Sequence, residues 1–207
     1  MCVIRNRERS KHRAVACEKR VGDRDCVRLR ASPMKTPRPT VDPKVIFDHA
    51  TAFYTTIDQL HQTSTPEHKQ KLAFVLPVLV LSSFASELYF KCLICLESGN
   101  LAKGHGLYKL FLKLSAATQR LIESEWDALN RERADALDQL DRSRGQVTSR
   151  DLRSNLREGN KGFEQLRYAY EPTGPFTFNL DGLPIALQRA ILQLHPEWEV
   201  PRYLARS

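Results

Sequence analysis

No uninterrupted apolar stretch of this 207-residue chain is longer than ten residues, Leu72–Leu81. A membrane-spanning helix needs about twenty, so no span and no membrane partner are expected. Residues 1–40 contain no apolar core of the kind a secretory signal requires. Glycine is scarce: nine residues, scattered, exclude collagen-like and low-complexity architecture. No repeat at a solenoid period is present, and no alternation of apolar and polar residues is long enough for a sheet. The five cysteines are an odd number without a secretion signal. That pattern predicts free thiols in a reducing compartment, the cytoplasm. His49, His61 and His68 do not stand at metal-ligand spacing, and Cys92-x-x-Cys95 has no further ligands nearby. No metal or other cofactor is therefore expected. No G-x-S-x-G occurs, and Gly104-His105-Gly106 lacks the preceding strand of a phosphate loop.

What the chain does have is an uneven charge. The whole carries 32 Lys+Arg against 24 Asp+Glu, a net charge of +8. Residues 1–40 hold 12 and 4 of these, and residues 41–207 hold 20 and 20. The excess thus belongs wholly to the first 40 residues, and the body is balanced. That first segment lacks aromatics and any helical apolar stripe, so it reads as a disordered basic tail. Two readings of it stand. It attaches to phosphates through Arg and Lys, or residues 1–33 precede the native start at Met34, which opens "MKTPRPTVDPKVIFDHA".

Residues 41–207 read as one helical domain. Asp42-Pro43 is an N-cap followed by proline at the first helical position. Val45, Ile46, Phe53, Ile57 and Leu60 then recur at helical spacing to about His61. "KLAFVLPVLVLSSFASELYFKCLICLESGN" is apolar nearly all round and predicts a central helix covered on most sides. Pro77 should kink it or mark where its regular part begins. Cys92 and Cys95 belong to it as small buried residues. A short helix follows with Leu107, Leu110, Phe111 and Leu114 on one face. Ser115 caps a fourth, with Leu121, Ile122, Trp126 and Leu129, and "DRSRGQVTSR" is its exit loop. A fifth starts near Thr148 or Ser149 and carries Leu152, Leu156, Phe163, Leu166 and Tyr170, with irregularity expected at Gly159 and Gly162. A last helix spans Leu183–Leu194. The expected fold class is all-α, a single bundle of five to six helices.

Glu87 and Lys91 stand four apart in the central helix, the acid N-terminal to the base. Charge within a buried helix is costly unless paired. The pair should line a polar cluster, which His105 can complete. Arg167 and Glu171 are also four apart, with Tyr168 between them. They read as a contact for RNA or a partner, or as a salt-bridged helix face. Trp126 and Trp198 read as core or interface anchors, because no basic patch surrounds either.

"SSFASELYFKCLICLESG", "KGHGLYKLFLKLS" and "LREGNKGFEQLRYAYE" together resemble the HEPN superfamily over about residues 43–195. The shared pattern is a Glu and Lys four apart, a Gly-His-x-Leu step into a short helix, and a later helix ending in Arg-Tyr-x-x-Glu. The resemblance implies an all-α fold, a homodimer and a role in a bacterial defence or toxin–antitoxin-type system. It also implies RNA, or an antitoxin or other protein encoded by a neighbouring gene, as partner. Many members are metal-independent RNases, with an Arg and a nearby downstream His as catalytic pair. Here His would move protons at the ribose 2′-OH, and Arg would stabilise the transition-state phosphate. In the folded part only Arg189 and His195 match, with five residues between them. Ala190 stands where a polar residue usually follows the Arg, and the segment carrying Arg157 and Arg167 has no His. Gly106 stands where an aspartate commonly caps the short helix. The expected activity is therefore a non-catalytic or weakly catalytic binding module. The alternatives are an endoribonuclease using Arg189 and His195, and a helical protein-interaction scaffold.

Overall fold

A computed structural model describes residues 41–63, 72–145, 147–160, 166 and 179–198. The tail expected at 1–40 lies outside the described residues. So does the stretch of the expected fifth helix that follows Asn160, apart from Leu166. The described residues form helices and connecting turns, with no strand among them. In chain order the helices are α1 (Pro43–Thr63), α2 (Leu72–Ser98), α3 (Leu107–Phe111), α4 (Ala116–Glu132), α5 (Ala134–Arg144), α6 (Leu152–Glu158) and α7 (Leu183–Leu194).

Local chemistry accounts for the ends. Asp42 caps α1: its Oδ1 accepts from Lys44 N at 2.9 Å. Ser115 caps α4, its Oγ accepting from Thr118 N at 3.3 Å. Gly145 closes α5 in the left-handed region, φ +65°, as a residue without Cβ can. Three boundaries differ from expectation. The fourth helix divides at Arg133 (φ −108°), where Arg133 turns to Asp181 at 3.0 Å. Residues 141–144, expected in a loop, remain helical until Gly145. The fifth helix begins at Leu152, not near Thr148, because Asp151 is the cap and accepts from Ser154 N at 2.7 Å. Hydrogen bonding from the Ser154 side chain and backbone holds the Asp151 carboxyl below the usual range.

α2 is the axis of the core. It runs on through Pro77 without ending. By length and composition Val75–Ser98 would suffice to cross a membrane, but 61% of its most apolar window is buried against the rest of the fold. α1 packs along α2, α7 packs on α2 and α4, and α3 sits between α2 and α6. Phe47, Tyr89, Phe90, Phe111, Leu187 and Ile191 are fully buried. Each large side chain so placed contributes about 1.5–3 kcal/mol relative to exposure. Val45, on the expected α1 stripe, points outward instead, and Phe47 takes the core position. Trp198 closes over Phe47, with ring centroids 5.4 Å apart. Trp126 is buried and donates from Nε1 to Arg150 O at 2.8 Å.

Polar groups inside the bundle are bolted across helices. Tyr89 on α2 pairs its hydroxyl with Thr51 Oγ1 on α1 and with Gln188 Nε2 on α7, each at 3.0 Å. Burial pushes the Tyr89 phenol up. The Cys92 and Cys95 thiols are free and buried, and donate to Pro43 O and Val41 O at the entry to α1.

Candidate functional site

The polar cluster is built on α2. Glu87 and Lys91 occupy successive turns, and Lys91 Nζ lies 2.6 Å from Glu87 Oε1. The turn before α3 brings His105 to the same carboxylate, with Nδ1 3.0 Å from Oε1 and 3.1 Å from Oε2. A carboxylate only accepts, so Nδ1 is the donor in this contact. The Glu87 side chain is 1% exposed, Lys91 18% and His105 54%. The cluster therefore runs from a buried anion to a surface imidazole. It joins residues 18 apart in sequence and holds the turn that leads into α3.

That turn also explains Gly106. The short helix has no side-chain cap of its own. Asn160 supplies one from outside: its Oδ1 accepts from Tyr108 N at 3.1 Å, and its backbone oxygen accepts from Leu107 N at 3.1 Å. A Cβ at position 106 would meet Asn160 Oδ1 at 2.8 Å. The chain thus replaces a local aspartate cap with a remote asparagine, and glycine makes room for it. The break in α6 at Gly159 delivers Asn160 to this place. Sequence reasoning missed Asn160, because an end-capping asparagine fifty residues away leaves no local signature.

Arg189 and His195 are not brought together. His195 stands six positions on, at the end of α7, which sets the two residues about 9 Å apart along the axis and about 120° apart around it. Arg189 forms a two-pronged pair with Glu132 of α4, Nη1–Oε1 2.8 Å and Nη2–Oε2 2.9 Å. That contact holds the Glu132 carboxyl below its usual range and raises the guanidinium. His195 ends α7, bonds Glu197 Oε1 through Nδ1 at 2.9 Å, and stacks on Trp198 at 4.4 Å. Glu197 is held low by the His195 contact. Each candidate catalytic group thus has its own carboxylate, and the two carboxylates differ. Arg167, Tyr168 and Glu171 lie outside the described residues.

Comparison with family models, curated proteins and solved structures gives no match.

No three His, Cys, Asp or Glu side chains among the described residues stand together as a metal site. The Cys92-x-x-Cys95 thiols are buried within α2. Burial pushes the Cys92 thiol up to about 12 and also raises Cys95, so the nucleophilic thiolate is suppressed.

Proposed function

We propose that this chain is a HEPN-like module that works by binding rather than by cutting. The carrying observation is the separate engagement of Arg189 and His195. An Arg–His ribonuclease needs its guanidinium turned to the scissile phosphate and its imidazole to the 2′-OH. Here Arg189 is engaged by Glu132 of α4, and His195, just past the end of α7, by Glu197. The Glu87–Lys91–His105 cluster is satisfied internally and serves to fix the turn before α3. In this reading the protein takes RNA or a protein partner as part of a bacterial defence or toxin–antitoxin-type system in the cytoplasm.

A partner contact has its own support. Val75 and Leu76, near the start of α2, are 42% and 41% exposed, and Pro77 beside them is exposed too. Three consecutive apolar side chains at a surface favour an interface, and a second copy of the chain is the proposed occupant. The binding reading is tested by a native gel with labelled single-stranded RNA and excess full-length protein in EDTA. It predicts a shifted band from which the RNA is recovered intact. An unshifted band at all concentrations would remove RNA from the account and leave the protein-partner scaffold.

A further inference from the structure

The cations that the fold employs are paired. Lys44, Lys91, Arg133, Arg150, Arg153 and Arg189 each reach a carboxylate. Lys103, Lys109, Lys113 and Arg157 form no ion pair among the described residues, and all four are exposed. Sequence explains part of this. No Asp or Glu occurs between Glu97 and Glu123, while Lys103, Lys109, Lys113 and Arg120 do.

Lys103, Lys109 and Lys113 lie on α3 and the turns that flank it, and Arg157 of α6 reaches the same short helix at Tyr108. Lys113 Nζ donates to Lys103 O at 3.1 Å, which ties the turn before α3 to its end. Lys109 is in α3, and Lys113 lies two residues past its end. Arg157 of α6 lies over the Tyr108 ring at 5.2 Å and donates from Nε to its hydroxyl at 3.1 Å. The Asn160 cap fixes α6 and α3 to each other. The carboxylates that border this face are spent elsewhere. Glu87 holds Lys91 and His105, Glu123 holds Arg153, and Glu97 accepts from Ser115 N and Thr118 Oγ1. Glu158, next to Arg157 in sequence, and Asp151, whose carboxyl feels the Arg157 charge, are the exceptions, and against four cations they leave the face with a surplus of positive charge.

We infer that this face, built on α3 and α6, binds the phosphate backbone of single-stranded RNA. The inference rests on the RNA branch of the binding reading above and gives it a location. Like charges on one face repel one another, and a chain of phosphates relieves that repulsion by neutralising each cation. Arg157 is held over Tyr108 by its contact with the ring and its bond to the hydroxyl, and a planar guanidinium so held offers a surface on which an unstacked base can lie. Arg189, by contrast, is engaged at both prongs by Glu132.

The test uses the full chain and a fluorescent oligo(U), with anisotropy read from about 50 mM to about 200 mM salt. The triple variant Lys103→Gln, Lys109→Gln, Lys113→Gln is compared with wild type. The basic first 40 residues are common to both proteins, so the difference reads the face. Three lost phosphate contacts should lower the magnitude of the log–log salt slope by about 2. Should the triple variant melt early, Lys109→Gln alone should lower it by about 0.7. A wild type that binds RNA with a slope unchanged in the variants would overturn the face and leave RNA binding standing. A wild type that binds no RNA would overturn both. Poly-glutamate bound as tightly as oligo(U), with the same loss in the variants, would overturn RNA in favour of an acidic protein.

Discussion

Glu87 carries more of the stability than its small size suggests, because burial decides what a charge pair is worth. The exposed Lys44–Asp48 pair, with side chains 31% and 41% accessible, has the same i,i+4 spacing as Lys91–Glu87. Asp48→Ala should cost less than about 1 kcal/mol, as surface pairs do. Glu87→Ala removes the one carboxylate shared by Lys91 and His105 and should cost about 3 kcal/mol. Denaturant midpoints of the two variants check this, and equal losses would refute it. Cys92 supplies a pH signature. Folded, its thiol is pushed from 9.0 to about 12 by burial. As pH rises past 9.0 the unfolded chain therefore releases this proton first, and stability falls until about 12. Cys95 and Tyr89 move in the same direction. Between about pH 9 and pH 11 the Cys92 contribution to the decline approaches 1.4 kcal/mol per unit. Cys92→Ala should flatten the fall in the denaturation midpoint by that amount, and an unchanged fall would contradict it. The Glu87–Lys91–His105 association was legible in sequence because burying an unpaired carboxylate is so costly that partners can be sought within one turn and in the next segment.

At the scale of elements, α3 depends on α6. The five residues of α3 are too few to hold a helix alone. Its cap comes from Asn160, and Gly106 leaves room for that side chain. Asn160→Ala should cost about 1 kcal/mol, the usual value of a lost N-cap. Gly106→Ala should cost more in wild type than in the Asn160→Ala background, because the Cβ then has no oxygen to meet. A double-mutant cycle measures that coupling, and strict additivity would show that the two positions act apart. This dependence also marks where sequence reading stops. The α1 and α4 caps were legible, since Asp42 and Ser115 stand beside the helices they start. So were the extent of α7 and the buried character of α2, which follow from periodicity and composition. The division at Arg133 was not legible, because the group that Arg133 meets there is Asp181, far along the chain. Close approach matters here too: a Cβ on Gly182 would meet Arg133 Nη1 at 2.7 Å. The start of α6 was placed too early because Ser149 and Thr148 are as good caps as Asp151 in isolation. Which residue caps was decided by packing of Leu152 and Leu156 in the core.

For the whole molecule, the distribution of charge matters more than its total. The net +8 belongs to residues 1–40, and residues 41–207 are balanced. Within the fold Lys103, Lys109, Lys113 and Arg157 form no ion pair among the described residues, and the proposed RNA face rests on them. Ion pairing also engages Arg189, one of the expected catalytic groups, with Glu132. Binding without scission is therefore the central claim. It is tested most directly by single-turnover incubation of labelled RNA with excess full-length protein in EDTA, with wild type beside Arg189→Ala and His195→Ala. The account predicts that RNA is retained on the protein, that strand scission stays at the protein-free rate, and that all three proteins behave alike. EDTA-resistant scission by wild type that disappears in His195→Ala would contradict it.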